Sequence, residues 1–481
     1  MLFLFCCNAL PFGHYADDIK WVLLAESFLR GSVQTAWSVV PLPDTTITWG
    51  YGFLLTPVVS LFGRQAMALK LFSAFCALGG IGLFYLSIRR MLDAGGRTVV
   101  LAGLGGVAFL AGFSGNVISE MGYLLLFGIF SYGLSFLSEN RWRTFFFMGT
   151  VAGALFLVRN IGALAPFSLI GFGRRFLWTR TAMSFALGFL VVAGPVSLAV
   201  IQLSGTWSFY GPYWSLGSGG SLLAGVERFI GNLFFYWKGL TCMTLFNLPA
   251  IFPPLPWVKG GAMILGGVMV GRGIWVWRSE PMGRWLGLYF LGYMMVLGVW
   301  TYQAPRYAVP VYPVFLGFLG AGLKGVCESK AGRRVLVGLL FGILLSNVSE
   351  MAGLVRKSFQ RDPVLPHASE QWLAAHSRSD EIVVSMDIAR VYYFTGRRGV
   401  PFVPSNDATS FERGARRLGA TLFFFKENEY VSAASGVADP IARQHTLLRD
   451  ILFGSKSFEP VYTNGEERTT IFRFRGSVPV V

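Results

Sequence analysis

The chain contains apolar runs too long for the core of an ordinary soluble domain. Residues 66–88 form 23 consecutive positions with one charged side chain, Lys70. A helix needs roughly 20 mainly apolar residues to cross the hydrocarbon of a bilayer. Further apolar runs lie at 98–113, 120–138, 143–158, 161–173, 182–204, 258–277, 284–302, 307–323 and 335–351. A chain crossing lipid must satisfy its backbone polar groups internally, and runs of this length do so as helices. Composition agrees: 53% of residues are hydrophobic and 14% are charged, against about 25% charged in soluble domains. Intrinsic disorder is excluded by the same hydrophobicity.

The formal charge of +16 is unevenly placed. The first 361 residues hold 27 Lys and Arg against 11 acids, while the last 120 hold 14 of each. The whole excess therefore lies in the apolar part, and the tail is a neutral, normally charged segment long enough for its own core. We place the boundary near 355, giving a membrane domain 1–355 and a C-terminal domain 356–481. The groups Arg89/Arg90/Arg97, Arg141/Arg143, Arg174/Arg175/Arg180, Arg272/Arg278/Arg284 and Lys324/Lys330/Arg333/Arg334 fall in alternate loops. Basic residues in short loops mark the cytoplasmic side. The tail then lies on the extracytoplasmic side after about eleven crossings. That count includes a first segment, Met1–Phe12, of about half a span. Residues 49–63 and 229–246 are read as membrane-surface or re-entrant pieces. The +16 does not suggest nucleic acid, because no soluble basic face carries it. Of the excess, 15 bases less four acids lie in the cytoplasmic loops, which leaves +5 for other anions.

The tail alternates strand and helix patterns, which suggests a small α/β domain. Ile382–Met386 reads as a strand, Ala389–Thr395 as a helix and Gly396–Gly399 as a turn. Phe411–Leu418 reads as an amphipathic helix leading into the strand Ala420–Phe425. Glu459–Thr463 and Thr469–Phe474, around Asn464-Gly465, read as a hairpin. No phosphate loop appears. The five cysteines and four histidines lack disulfide or metal-ligand spacing. Gly320, Gly322 and Gly325 match a dinucleotide fingerprint but follow no strand, so close helix packing explains them better.

Charges in or beside a membrane domain are costly and therefore informative. Asp17 and Asp18 follow the first apolar segment and precede Ile19–Arg30, which reads as an amphipathic helix in the interface plane. A carboxylate there can act as a general base, although a plain helix N-cap also fits. Glu120 opens a span, where a helix N-terminus favours an acid. Arg159 and Arg306 end apolar helices; snorkelling and phosphate binding are both open to them. Lys70 lies within a span and needs an anionic partner. The loop 205–257 is rich in aromatic residues (Trp207, Phe209, Tyr210, Tyr213, Trp214, Tyr236, Trp237), fitting an interfacial belt or stacking on sugar rings, and Gly217–Ser221 reads as a hinge. A transporter would instead show repeats and ionisable groups at the midplane.

In order along the chain these features resemble the GT-C glycosyltransferases, in particular the family of the protein mannosyltransferases and the lipid A aminoarabinose transferase. The resemblance is carried by Asp17-Asp18 with Trp21, Ala25, Leu29 and Gly31 behind it. It continues in Tyr51-Gly52-Phe53-Leu54-Leu55 with Leu61-Phe62-Gly63, in Ser119-Glu120, in Arg159, and in Arg306-Tyr307 with Pro310 and Pro313. It departs at Trp49-Gly50, where the family often has paired prolines.

The resemblance implies an integral protein of the cell (inner) membrane that moves a sugar from a polyprenyl-phosphate carrier to an extracytoplasmic acceptor, which is a glycan, lipid or protein. It assigns Asp17 as general base with Asp18 supporting, and Glu120 to the acceptor site or to pairing with a base. Arg159, Arg306, Tyr307 and Lys70 are assigned to the donor phosphate. Some members use a divalent metal, which loop carboxylates would hold. A transporter or lipid flippase, and a non-catalytic family member, are the alternatives.

Overall fold

The computed structural model describes residues 12, 16–39, 48–106, 108–136, 142–172, 180–204, 222–245, 256–300, 303–326, 329–360, 366–400, 407–427 and 440–475. Most of the first apolar segment, the five aromatic residues from Trp207 to Trp214 and the Gly217–Ser221 hinge lie outside these residues. The chain divides into two compact bodies. One lies within Thr45–Pro363; the other joins Phe12–Asp44 to Val364–Val481. The division thus differs from a single boundary near 355: the segment after the first apolar run belongs with the tail.

The second body begins with α1 (Ala16–Leu29). The described part of the first body is helical: α2 (Gly50–Phe62), α3 (Ala66–Ile88), α4 (Ala94–Gly106), α5 (Ala108–Ser114), α6 (Ser119–Leu134), α7 (Trp142–Val158), α8 (Arg180–Ser204), α9 (Leu222–Leu245), α10 (Pro256–Trp277), α11 (Pro281–Val299), α12 (Tyr312–Gly322) and α13 (Lys330–Gln360). Among the described residues, four stretches are long and apolar enough to cross a membrane: Ala66–Ile88, Arg180–Gln202, Gly260–Trp277 and Pro281–Val299.

Three expectations change. The run 161–173 is no continuous helix; it breaks into short turns over Asn160–Ala163, Leu164–Phe167 and Ser168–Phe172. Gly162 and Pro166 sit in this stretch, and hydropathy does not register such breakers. The run 307–323 is likewise divided, by a 3₁₀ turn at Pro305–Val311 ahead of α12. Conversely, of the run 229–246, residues 229–245 belong to a continuous 24-residue helix, α9, about 36 Å long at 1.5 Å per residue.

Helices approach closely where glycines face one another. A Cβ on Gly128 of α6 would strike the Gly80 carbonyl of α3, and one on Gly80 would strike the backbone at Leu124. Tyr51 of α2 bonds Ser73 of α3 (2.8 Å), and its ring lies against Gly122 of α6. The two contacts advance together along both helices, so α3 and α6 run parallel.

The second body carries a five-stranded sheet of order β2-β1-β3-β5-β4. It is built from α14 (Ala368–His376), β1 (Ile382–Val384), α15 (Ile388–Thr395), β2 (Gly399–Val400), α16 (Ala408–Arg417), β3 (Ala420–Lys426), α17 (Pro440–Gly454), β4 (Phe458–Asn464) and β5 (Thr469–Phe474). β2, β1 and β3 are parallel; β3, β5 and β4 are antiparallel. Phe411 and Ala415 of α16 and Leu448, Ile451 and Leu452 of α17 cover the face that presents Phe423, Phe425, Phe458, Phe472 and Phe474. The alternate residues Val383, Leu422, Phe424 and Ile471 are buried too, so both faces are covered. The expected hairpin is present, but its turn is longer than two residues. The Asn464 side chain accepts from the Glu466 and Glu467 amides (3.0 and 3.1 Å), and Arg468 takes a positive φ of 49°.

The segment after the first apolar run extends this sheet. Ser38 pairs in parallel with Gly399 at the free edge of β2. The Val39 amide donates to the Gly399 carbonyl (3.0 Å), and the Gly399 amide donates to that of Trp37 (2.9 Å). α1 packs against α15, and the Phe12 and Tyr393 rings lie 5.6 Å apart. Within α1, Ile19 and Trp21–Ala25 are all buried. An interface helix keeps an apolar stripe for lipid, so Ile19–Arg30 is a packed helix instead.

Candidate functional site

Four of the residues singled out in the sequence converge in the first body. Glu120 lies in the first turn of α6, where the positive end of the helix dipole favours an acid. Arg159 follows the last turn of α7 in an extended conformation (φ −151°, ψ 129°). Thr48 fixes that helix end by donating to the carbonyl of Val158 (2.6 Å). Arg306 and Tyr307 lie in the 3₁₀ turn Pro305–Val311 that leads into α12. The sequence thus brings the ends of three separate helical segments to one point.

There, Arg159 Nη1 is 2.5 Å from Glu120 Oε1, and Arg306 Nε is 3.8 Å from the same oxygen. Arg159 Nη1 also donates to Ser119 Oγ (3.2 Å). Both guanidinium carbons lie over the ring of Tyr307, at 5.4 and 5.3 Å from its centroid. Stacking of this kind is favourable and strengthens as the cation loses water. The Glu120 side chain is 2% exposed, whereas both arginines keep 15%. Two cations share this carboxylate and present two planar forks suited to an oxyanion.

The turn that carries Arg306 is held by groups not singled out as site residues in the sequence. Tyr293 donates its hydroxyl to the Tyr307 carbonyl (3.0 Å). Asn232 of α9 donates to the carbonyls of Gly298 (3.0 Å) and Trp300 (2.6 Å), and accepts from Gln303 Nε2 (2.8 Å). The Ala304 amide donates to Tyr236 Oη (3.4 Å). Tyr123 and Tyr289 share a hydrogen bond of 2.9 Å. The usable signal for Asn232 is a lone amide in an otherwise apolar stretch, since a buried amide must find partners. Of the aromatic residues expected in loop 205–257, Tyr236 and Trp237 are described, and both lie on α9. Trp237 donates its indole N–H to the Met263 carbonyl (3.2 Å).

Lys70 is fully buried on α3, one turn before Ser73. The parallel pairing of α3 with α6 sets it level with the segment just ahead of Ser119.

Asp17 and Asp18 occupy the first turn of α1, in the second body, with Asp18 buried and Asp17 half-buried. Asp387 caps α15 by accepting from the Arg390 amide (3.4 Å). Burial pushes its carboxyl above the ordinary range, opposed by Lys20 and Arg390 and assisted by Asp17. Arg390 holds Glu370 with both ends of its fork (2.5 and 3.1 Å). The first acidic segment is therefore embedded in a charged network of its own body. Among the described residues, no group of three or more His, Cys, Asp or Glu side chains is placed to hold a metal ion.

No protein-family model and no curated protein matches the sequence. Solved structures do match the fold. ArnT from Cupriavidus metallidurans bound to undecaprenyl phosphate aligns over 100% of this chain and 96% of its own, with a TM-score of 0.61 and 13% identity. Its apo state aligns over 98% and 95%, with the same score and identity. The Archaeoglobus fulgidus oligosaccharyltransferase tethered to an acceptor peptide aligns over 85% of this chain and 64% of its own, with a TM-score of 0.53 and 12% identity. Both proteins are GT-C members, so the resemblance noted in the sequence holds at the level of fold: this chain has the fold of the GT-C glycosyltransferases.

Proposed function

We propose that this protein is a membrane glycosyltransferase that moves a sugar from a polyprenyl-phosphate carrier to an acceptor on the extracytoplasmic face. The observation that carries this reading is the Arg159–Glu120–Arg306 cluster over Tyr307. It is a cation-rich site in a chain whose fold aligns along its whole length with ArnT bound to undecaprenyl phosphate.

In this reading Arg159 and Arg306 hold the carrier phosphate, Tyr307 orients both forks, and Lys70 adds positive charge from α3. The acceptor hydroxyl or amine attacks the anomeric carbon of the sugar. The bond from that carbon to the phosphate oxygen breaks, and the pair of electrons leaves on the carrier phosphate. The acceptor proton passes to the Asp17 carboxylate, with Asp18 supporting it. Fixed guanidiniums stabilise the charge that develops on the leaving phosphate. The reading includes about eleven crossings of the inner membrane and an extracytoplasmic C-terminal domain. A divalent metal, if used, would be held by loop carboxylates, and no step above needs it.

Transfer from a panel of radiolabelled polyprenyl-phosphate sugars into membranes containing the protein tests the reading. Label should move from at least one donor and stay on the carrier in Asp17→Asn. Full transfer by Asp17→Asn removes the base assignment, and full transfer by both Asp17→Asn and Asp18→Asn removes the site.

A further inference from the structure

The Glu120 carboxylate engages the same two guanidiniums that an outside anion would use. Its Oε1 is 2.5 Å from Arg159 and 3.8 Å from Arg306. It is almost fully enclosed, while both arginines keep part of their surface open. The arginines can thus be reached from outside, with the carboxylate behind them. Ser119 and Tyr307 give Arg159 two further contacts, and Tyr307 also supports Arg306. These contacts are made to groups other than the carboxylate.

Resting on the reading that these arginines take the carrier phosphate, we propose that Glu120 is an internal counter-anion. It competes with the carrier phosphate for Arg159 and Arg306, and so sets the rate at which the spent carrier leaves. The chemistry calls for such a device. A sugar-bearing carrier phosphate is a diester with one negative charge. The released monoester carries about −1.5 to −2 near neutral pH, as other phosphate monoesters do. Two arginines without a competing anion would hold the product more tightly than the substrate. A built-in carboxylate offsets one of the two guanidinium charges and narrows that difference.

The test uses the full chain in detergent or nanodiscs, with undecaprenyl phosphate as the probe. Glu120→Gln should bind it about tenfold more tightly, a shift of one decade in Kd, with slower dissociation. Its first turnover should proceed while steady-state kcat falls. Glu120→Asp, which keeps the charge, should bind within about threefold of the parent. Equal or weaker binding by Glu120→Gln overturns the inference. If the variant folds poorly, inorganic phosphate supplies the second readout: it should raise the melting temperature of Glu120→Gln more than that of the parent, and equal shifts overturn the inference. Failure of the parent reading looks different. Then the unmodified protein does not bind undecaprenyl phosphate, or Arg159→Gln and Arg306→Gln bind it as well as the parent does, and both proposals fall. Arginine variants that weaken binding beside a Glu120→Gln that does not tighten it remove the counter-anion role alone.

Discussion

Replacing Arg306 by Gln separates the binding role of this side chain from any structural one. Its Nε is 3.8 Å from Glu120, whereas Arg159 holds the same oxygen at 2.5 Å. With Arg306 gone, Glu120 keeps its closer partner, so no buried carboxylate is stranded. The 3₁₀ turn keeps the bonds from Tyr293 and the Tyr236 contact to Ala304. Stability should fall by no more than about 1 kcal/mol, as for a partly exposed ion pair. A carrier phosphate, however, loses one charge-assisted contact, typically worth ~1.5–3 kcal/mol. That corresponds to about a 10- to 150-fold rise in Kd. Displacement of labelled undecaprenyl phosphate measures the affinity, and thermal unfolding on the same samples measures the stability. Arg159→Gln gives the contrast, because it leaves the buried Glu120 only the longer contact to Arg306 and should cost ~3 kcal/mol of stability in addition. If Arg306→Gln melts several degrees lower yet binds undecaprenyl phosphate unchanged, the arginine is structural and the phosphate site lies elsewhere.

Other expectations bear on the scaffold. Gly128→Val should cost ~3 kcal/mol or prevent folding, because its Cβ would strike the Gly80 carbonyl and overpacked helices yield little; chemical unfolding checks this, and a neutral effect refutes the close approach of α3 and α6. Asn232→Leu should cost ~2 kcal/mol and weaken donor binding, since it leaves the Gly298 and Trp300 carbonyls and Gln303 without their partner; unchanged donor affinity would detach this clamp from the site. His367 is depressed from 6.5 to about 4, chiefly by burial, with Arg390 and Lys426 adding to the effect. The folded state therefore binds fewer protons than the unfolded state between pH 6.5 and about 4, and stability is lost as pH falls through that window. Because the ring is only partly buried, the loss should be about 1–2 kcal/mol after allowance for solvent screening. His367→Gln should flatten that part of the melting-temperature profile, and a slope unchanged by the substitution would assign it to another group.

The tail was readable because its elements are local. Short apolar runs mark β1, β3 and β5, Asp387 and Asp407 cap the helices that follow them, and Gly396 stops α15 in a left-handed turn (φ 72°). The pairing of Ser38 with Gly399 spans about 360 residues and leaves no local trace, so the membership of Phe12–Asp44 in the C-terminal body could not be read. Hydropathy also treats 161–173 as one run, although Gly162 and Pro166 lie within it and it divides into short turns. Glu120, Arg159 and Arg306 stood out because charge at the end of an apolar helix is expensive, and Tyr307 entered through the resemblance. Their convergence depends on which helix ends meet, and Asn232 and Tyr293 were hidden among many similar aromatic and apolar positions.

The most direct test of the account follows one sugar and one carrier at the same time. Purified protein in nanodiscs is given a doubly labelled undecaprenyl-phosphate sugar and membrane acceptors, and both labels are counted. A glycosyltransferase releases one undecaprenyl phosphate for each sugar bonded to an acceptor, and Asp17→Asn abolishes both signals together. Movement of intact donor between leaflets with no release of carrier phosphate would contradict the account and establish the chain as a transporter.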